Sequence, residues 1–235
     1  TDAWILDNNM SYVGVEGASI YLKSSNLSSY PGINTSYMDL SGENNNATLY
    51  NGVLYNDAGF LEFDGADDWG EITNTNLVPA TIDSLTIGGF WKRKGDGGSY
   101  ETVLHQSSNT SIGSSAYWFG WTIDNIVCCT IGAREGVGWA AGKTTIPADI
   151  GKWFYTAAVW DGSQVKVYVN GELQVTYNLS SYSNPGTITR LCASGNAGGY
   201  LANAGLNMIH INPDVVLSES EILQNLHQAP IVTDE

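Results

Sequence analysis

The residues of this 235-residue chain best placed to do chemistry are carboxylates. Glu62, Asp64 and Asp67 follow one another as E-x-D-x-x-D inside the stretch FLEFDGADDW. Two carboxylates held about 5 to 5.5 Å apart on a rigid element can share glycoside hydrolysis as acid and nucleophile. Gly65 interrupts the strand before the third acid, so the expectation is a turn at Asp64-Gly65 with Asp67 and Asp68 in the loop beyond it, and no enzyme. Asp64, Asp67 and Asp68 also join Asp39 and Asn44 as a candidate calcium set, because Ca²⁺ takes six to eight oxygens from carboxylates, amides and carbonyls. The alternative for the same residues is Asx-turn capping.

Other reactive side chains are scattered. His105, His210 and His227 lie far apart in sequence, without H-E-x-x-H and without a partner Ser or Cys motif. Cys128 and Cys129 are neighbours and would point to opposite faces of a strand, and Cys192 leaves an odd count without C-x-x-C spacing. Three buried free thiols are expected, with no zinc and no disulfide framework. Trp139, flanked by Gly136, Gly138 and Gly142, and Trp4, Tyr100, Tyr182 and Tyr200, all outside the clearest strands, are candidate outward rings. Such rings serve as interface anchors or as sugar-stacking platforms. The N-x-S/T triplets at Asn26, Asn34, Asn46, Asn109 and Asn178 are attributed to a chain rich in Asn, Ser and Thr.

The elements that must position these groups are strands. In residues 153–177, WFYTAAVWDGSQVKVYVNGELQVTY, three strands are read at 153–160, 164–169 and 172–177. Val165, Val167 and Val169 alternate with Gln164, Lys166 and Tyr168, the period of a half-buried strand. Asn170-Gly171 is a two-residue type I′ hairpin signal, and Leu173, Val175 and Tyr177 are expected to return along the buried face. Further strands are read at 18–22, 49–55, 60–63, 84–94, 101–106, 116–123, 125–131, 187–193 and 206–211. A long polar loop follows the first of them. Ser218 and Glu221 form a capping box ahead of Ile222, Leu223 and Leu226, which predicts one short C-terminal helix. The fold class is therefore all-β, a two-sheet antiparallel jelly-roll sandwich, divided as an arm or edge strand at 1–17, the jelly roll at 18–228 and a tail at 229–235.

Composition narrows the partners. Nine basic against 24 acidic residues give a formal charge of −15, which opposes nucleic acid and anionic membrane surfaces. Only 14% of residues are charged, so the polar surface is built from Ser, Thr, Asn and Gly, as in β proteins that face other proteins or glycans. No stretch of 18 apolar residues occurs. Thr1 suits a chain start left by a removed initiator Met, and a complete chain without a signal peptide is expected.

Four segments together resemble the concanavalin A-like, laminin-G-like jelly rolls, in the version found in structural proteins of tailed bacteriophages and some bacterial surface proteins. They are SSYPG (28–32) with DLSGENNNATLYNG (39–52), FLEFDGADDW (60–69), WFYTAAVWDGSQVKVYVNGE (153–172) and VLSESEILQNL (216–226). Hydrolases of that fold carry E-x-D-x-x-E where this chain has Asp67 as the third acid. Many relatives hold a structural calcium near these loops, although Lys23 stands here where such domains usually carry an acidic residue. The resemblance implies a non-enzymatic virion protein, a capsid decoration or appendage that is made in the host cytoplasm, sits on the virion surface, docks on major capsid or other virion proteins and self-associates. The alternative is a lectin-like module that binds a glycan in host attachment or as an extracellular or cell-surface adhesin.

Overall fold

The computed structural model describes residues 17–97, 99–107, 115–184, 188–194 and 199–227. The expected arm up to residue 16, Trp4 included, and the C-terminal tail lie outside them. In chain order the strands are β1 (Ile20–Lys23), β2 (Ser36–Tyr37), β3 (Ala47–Tyr50), β4 (Leu54–Asn56), β5 (Phe60–Asp64), β6 (Trp69–Ile72), β7 (Leu85–Arg93) and β8 (Glu101–Ser107). They continue as β9 (Ser115–Trp121), β10 (Ile126–Ile131), β11 (Lys143–Pro147), β12 (Trp153–Trp160), β13 (Gln164–Val169), β14 (Glu172–Asn178), β15 (Thr189–Leu191) and β16 (Asn203–Pro213), followed by helix α1 (Glu219–His227).

Two antiparallel sheets result. The first runs β14-β13-β12-β7-β16-β5-β4, with β1 also on β16, and the second runs β11-β10-β9-β8-β15-β6-β3-β2. Their inner faces enclose the main core, in which Trp91 of the first sheet stacks on Trp121 of the second at 5.4 Å between ring centroids. This is the sandwich expected from the strand pattern.

The meander closes as read. Asn170 and Gly171 both have positive φ, +50° and +83°, as a type I′ turn requires. A register shift between Val167 and Tyr168 then moves β14 off the expected alternation. Leu173 is left exposed, while Val175 and Tyr177 pack against the core.

The stretch 49–55 is not one strand. Asn51 and Gly52, both at positive φ, break it into β3 of the second sheet and β4 of the first. The chain returns through β5 to β6, so the turn from Asp64 to Asp68 also crosses between sheets. β2, β6 and β11 were not anticipated. Each is short, and β11 follows directly on the glycine-rich loop.

The outer face of the first sheet is covered. Tyr21, Tyr155, Tyr168 and Met208 lie beneath Ile222 and Leu226 of α1 and Leu40 of the loop after β2. The capping box is present: Glu221 Oε2 accepts the Ser218 N–H and hydroxyl, both at 2.7 Å. Burying Ile222 contributes on the order of 2 kcal/mol toward holding this short helix in place.

Candidate functional site

The predicted calcium set divides in two. Asp64 Oδ1 accepts the N–H groups of Ala66 (2.7 Å), Asp67 (3.2 Å) and Asp68 (3.4 Å), and Asp68 Oδ2 accepts the Asp64 N–H (3.1 Å). One ligand oxygen from each of Asp64, Asp67 and Asp68 lies within 4.8 Å of the others. Burial, followed by the charges of Asp64 and Asp67, pushes the Asp68 carboxyl up. Like charges gathered around a buried carboxylate suit a hard cation, and these residues could offer three of the six to eight oxygens Ca²⁺ takes. Their Asx-turn role holds at the same time.

Asp39 and Asn44 do not belong to this cluster. Asp39 gathers its own loop: Oδ1 accepts the N–H groups of Tyr21 and Ser41, and Oδ2 accepts the Ser41 hydroxyl and the Asn45 N–H. Tyr21 faces His210 on β16, whereas Asp64 faces Asn203 on the same strand. Seven residues of extended chain separate the two regions by roughly 20 Å. Asn44 is exposed with φ +59°, and its amide donates to Gly42 O within its own loop.

The carboxylate motif is likewise taken apart. Glu62 accepts from Lys94 Nζ at 2.8 Å and from Asn56 Nδ2 at 2.9 Å. Burial works to raise its carboxyl, but those hydrogen bonds and the lysine charge outweigh it and hold it below the usual range. A general acid needs the opposite shift. His105 and His210 are buried, and desolvation lowers them to about 3 and about 4. Cys128, Cys129 and Cys192 are free and buried as expected, and burial pushes the Cys128 thiol up to about 12.

Of the four aromatic candidates among the described residues, three gather on the outer face of the second sheet. Tyr100, Trp139 and Tyr200 are half-buried around Trp118 and Cys128. Tyr100 meets Trp139 edge-on at 5.0 Å and Tyr200 at 6.0 Å. Trp118 lies beneath, its indole N–H donating to Thr102 Oγ1 at 2.9 Å. Tyr182 is a correction: it is buried, because the chain after β14 closes over the end of the sandwich and its ring tilts onto Trp160 at 6.0 Å.

The same face continues across the sheet through residues the sequence reading passed over. Strand registers align Thr48, Glu71, Arg190, His105, Trp118 and Thr130 in one row across β3, β6, β15, β8, β9 and β10. Arg190 Nη1 lies 2.6 Å from Glu71 Oε2, and its guanidinium sits over the Trp69 ring at 4.8 Å. Trp69 stacks on Tyr50 at 4.1 Å and 12°, both rings half-buried. Arg190 Nε and His105 Nδ1 are enclosed and have no hydrogen-bond partner. The alternation of Trp69 and Glu71 with Gly70 and Ile72 was the signal for this face, but it is only four residues long. Asp68 is the residue before Trp69, so the acidic turn adjoins the Tyr50–Trp69 stack.

Solved structures of similar fold exist at low identity. The sialidase of Trypanosoma rangeli, in its complex with 2,3-difluorosialic acid, superposes with a TM-score of 0.67 at 14% identity, covering 93% of this chain and 34% of that one. The binding domain of botulinum neurotoxin DC, in a complex named for SialylT, gives 0.63 at 15% identity, covering 91% of this chain and 52% of its own. The botulinum neurotoxin serotype D/C VPI 5993 binding domain gives 0.61 at 17% identity, with the same coverage. This chain therefore spans about a third of the sialidase and about half of the toxin domains. No curated protein matches it in sequence. Residues 64–223, well over half of the chain, match the family described as the concanavalin A-like lectin/glucanases superfamily, and the chain belongs to that family.

Proposed function

We propose that this chain is a carbohydrate-binding, lectin-like module and that the outer face of the second sheet is its binding surface. The observation that carries this reading is the half-exposed Tyr50–Trp69 stack beside the Arg190–Glu71 ion pair. A few placed polar groups beside apolar rings are what small-ligand sites share. The fold neighbours in complex with 2,3-difluorosialic acid and with SialylT support the same class of ligand. The chain acts as a binder rather than a catalyst on this reading, supported by the Lys94-bound Glu62 and the neutral buried histidines. Calcium at Asp64, Asp67 and Asp68 would brace the turn beside the platform. Binding to a neutral and sialylated glycan array is the test. Trp69→Ala should weaken the best signal at least tenfold while Leu54→Ser leaves it unchanged, and equal binding by both variants would defeat the assignment.

A second role, docking on a virion shell or on a sister copy, is favoured by one separate observation. Leu54 on β4, an outer strand of the first sheet, and Leu27 and Ile33 in the segment between β1 and β2 are exposed by 65% or more, and Tyr30 of that segment packs on Tyr55 of β4 at 5.4 Å. Exposed apolar side chains on an open strand edge are a docking feature. On this second role the chain would sit on a virion surface, and on the lectin reading alone outside a cell. Sedimentation of the chain alone, and its copy number in purified particles, test this role: a monomer missing from particles would reject it.

A further inference from the structure

The charge balance of the proposed binding face restricts which sugars it can take. Arg190 is the cation at the centre of the row, and it is already matched: Glu71 lies 2.6 Å away, with the two side chains only 10% and 13% exposed. His105, next to it in register, is fully buried and uncharged near neutral pH. At the β11 edge of the same sheet Lys143 pairs with Asp124 at 2.5 Å. The whole chain carries a formal charge of −15.

A carboxylated sugar approaching Arg190 would meet the Glu71 carboxylate at the same point. It would have to displace a partly buried partner, which leaves that partner's charge unpaired in a poorly solvated place. A neutral polyol faces no such conflict. An ion pair presents a donor and an acceptor side by side, the match for two adjacent hydroxyl groups, and Trp69 and Tyr50 supply the apolar wall.

Resting on the carbohydrate-binding reading above, we propose that this face selects neutral sugars and discriminates against sialylated ones, with the Arg190–Glu71 pair as the selecting element. In this it would differ from the sialidase in complex with 2,3-difluorosialic acid.

The experiment compares neutral hexosides with their sialylated counterparts, matched in core structure, by calorimetry on the full chain at 0.15 M salt. The neutral member of each pair should bind at least tenfold more tightly. Glu71→Gln, which keeps the shape and removes the opposing charge, should cut that ratio at least threefold by gaining affinity for the sialylated probe. Equal or tighter binding of sialylated probes by the unaltered protein overturns this inference and leaves the carbohydrate-binding reading standing. Binding of neither class overturns both. A ratio unchanged in folded Glu71→Gln rejects the ion pair as the selecting element, and if that variant fails to fold, the comparison on the unaltered protein decides the specificity.

Discussion

His105 and His210 show what burial does to a titratable group when no charge compensates it. His105 hydrogen-bonds Ser115 Oγ at 2.5 Å, and His210 lies between Tyr155 Oη (3.1 Å) and Asn212 Oδ1 (2.7 Å). Desolvation lowers both from the ordinary histidine value of 6.5, to about 3 and about 4. In the unfolded chain they protonate near pH 6.5, so between there and their folded values the unfolded state binds more protons. Their contribution to stability is therefore present above pH 6.5 and lost as pH falls toward 4, at about 1.4 kcal/mol per pH unit for each histidine. Denaturant unfolding at pH 7.0, 6.0 and 5.0 should show that slope, and His105→Gln should roughly halve it. A flat profile over this interval would mean that both rings take up a proton in the folded state as readily as in the unfolded one, and half the slope that one of them does.

At the scale of elements, two local designs carry identifiable shares of stability. The Ser218–Glu221 box closes the N-terminus of α1, and the helix then lies against the β13–β14 hairpin, where Leu223 and Leu226 approach Gly171. Ser218→Ala should cost about 1 kcal/mol. Urea titration measures this, and the second sheet's binding face should be unaffected. The second design is the close approach inside the first sheet. A Cβ on Gly88 would lie 2.3 Å from His210 Nε2 and 3.1 Å from the Thr156 carbonyl oxygen, with β12 on one side and β16 on the other. Gly88→Ala should therefore destabilise by about 3 kcal/mol through overpacking. Normal stability for that variant would show that β7 and β16 have slack between them.

The whole molecule is strongly acidic, and the turn that crosses between its sheets concentrates three of those charges. Calcium binding there would stabilise the fold by mass action, about 2.7 kcal/mol at a hundredfold excess over Kd. Thermal unfolding with calcium and with chelator should separate by several degrees, and Asp67→Asn should abolish the separation while leaving the calcium-free Tm nearly unchanged. Identical Tm values with and without calcium would leave the turn as a purely hydrogen-bonded device. Among the described residues, α1 and the loop after β2 pack on the outer face of the first sheet, while Tyr100, Trp139 and Tyr200 gather half-buried on that of the second. No helix among the described residues is long and apolar enough to cross a membrane.

Local patterns in the sequence determined the sandwich, the Asn170-Gly171 turn, the capping box and the burial of all three thiols on two faces. Each depends on alternation, turn chemistry or helix-end hydrogen bonds among residues within a few positions of one another. That Tyr100, Trp139 and Tyr200 stay partly exposed was legible from their turn-rich surroundings, although their meeting was not. Only the tertiary structure decided that Asp39 sits far from Asp64, that Tyr182 turns inward and that Arg190 meets Glu71 over Trp69. Those outcomes depend on which strands pair and in what register, and pairing between residues more than a hundred positions apart leaves no periodic trace in one chain.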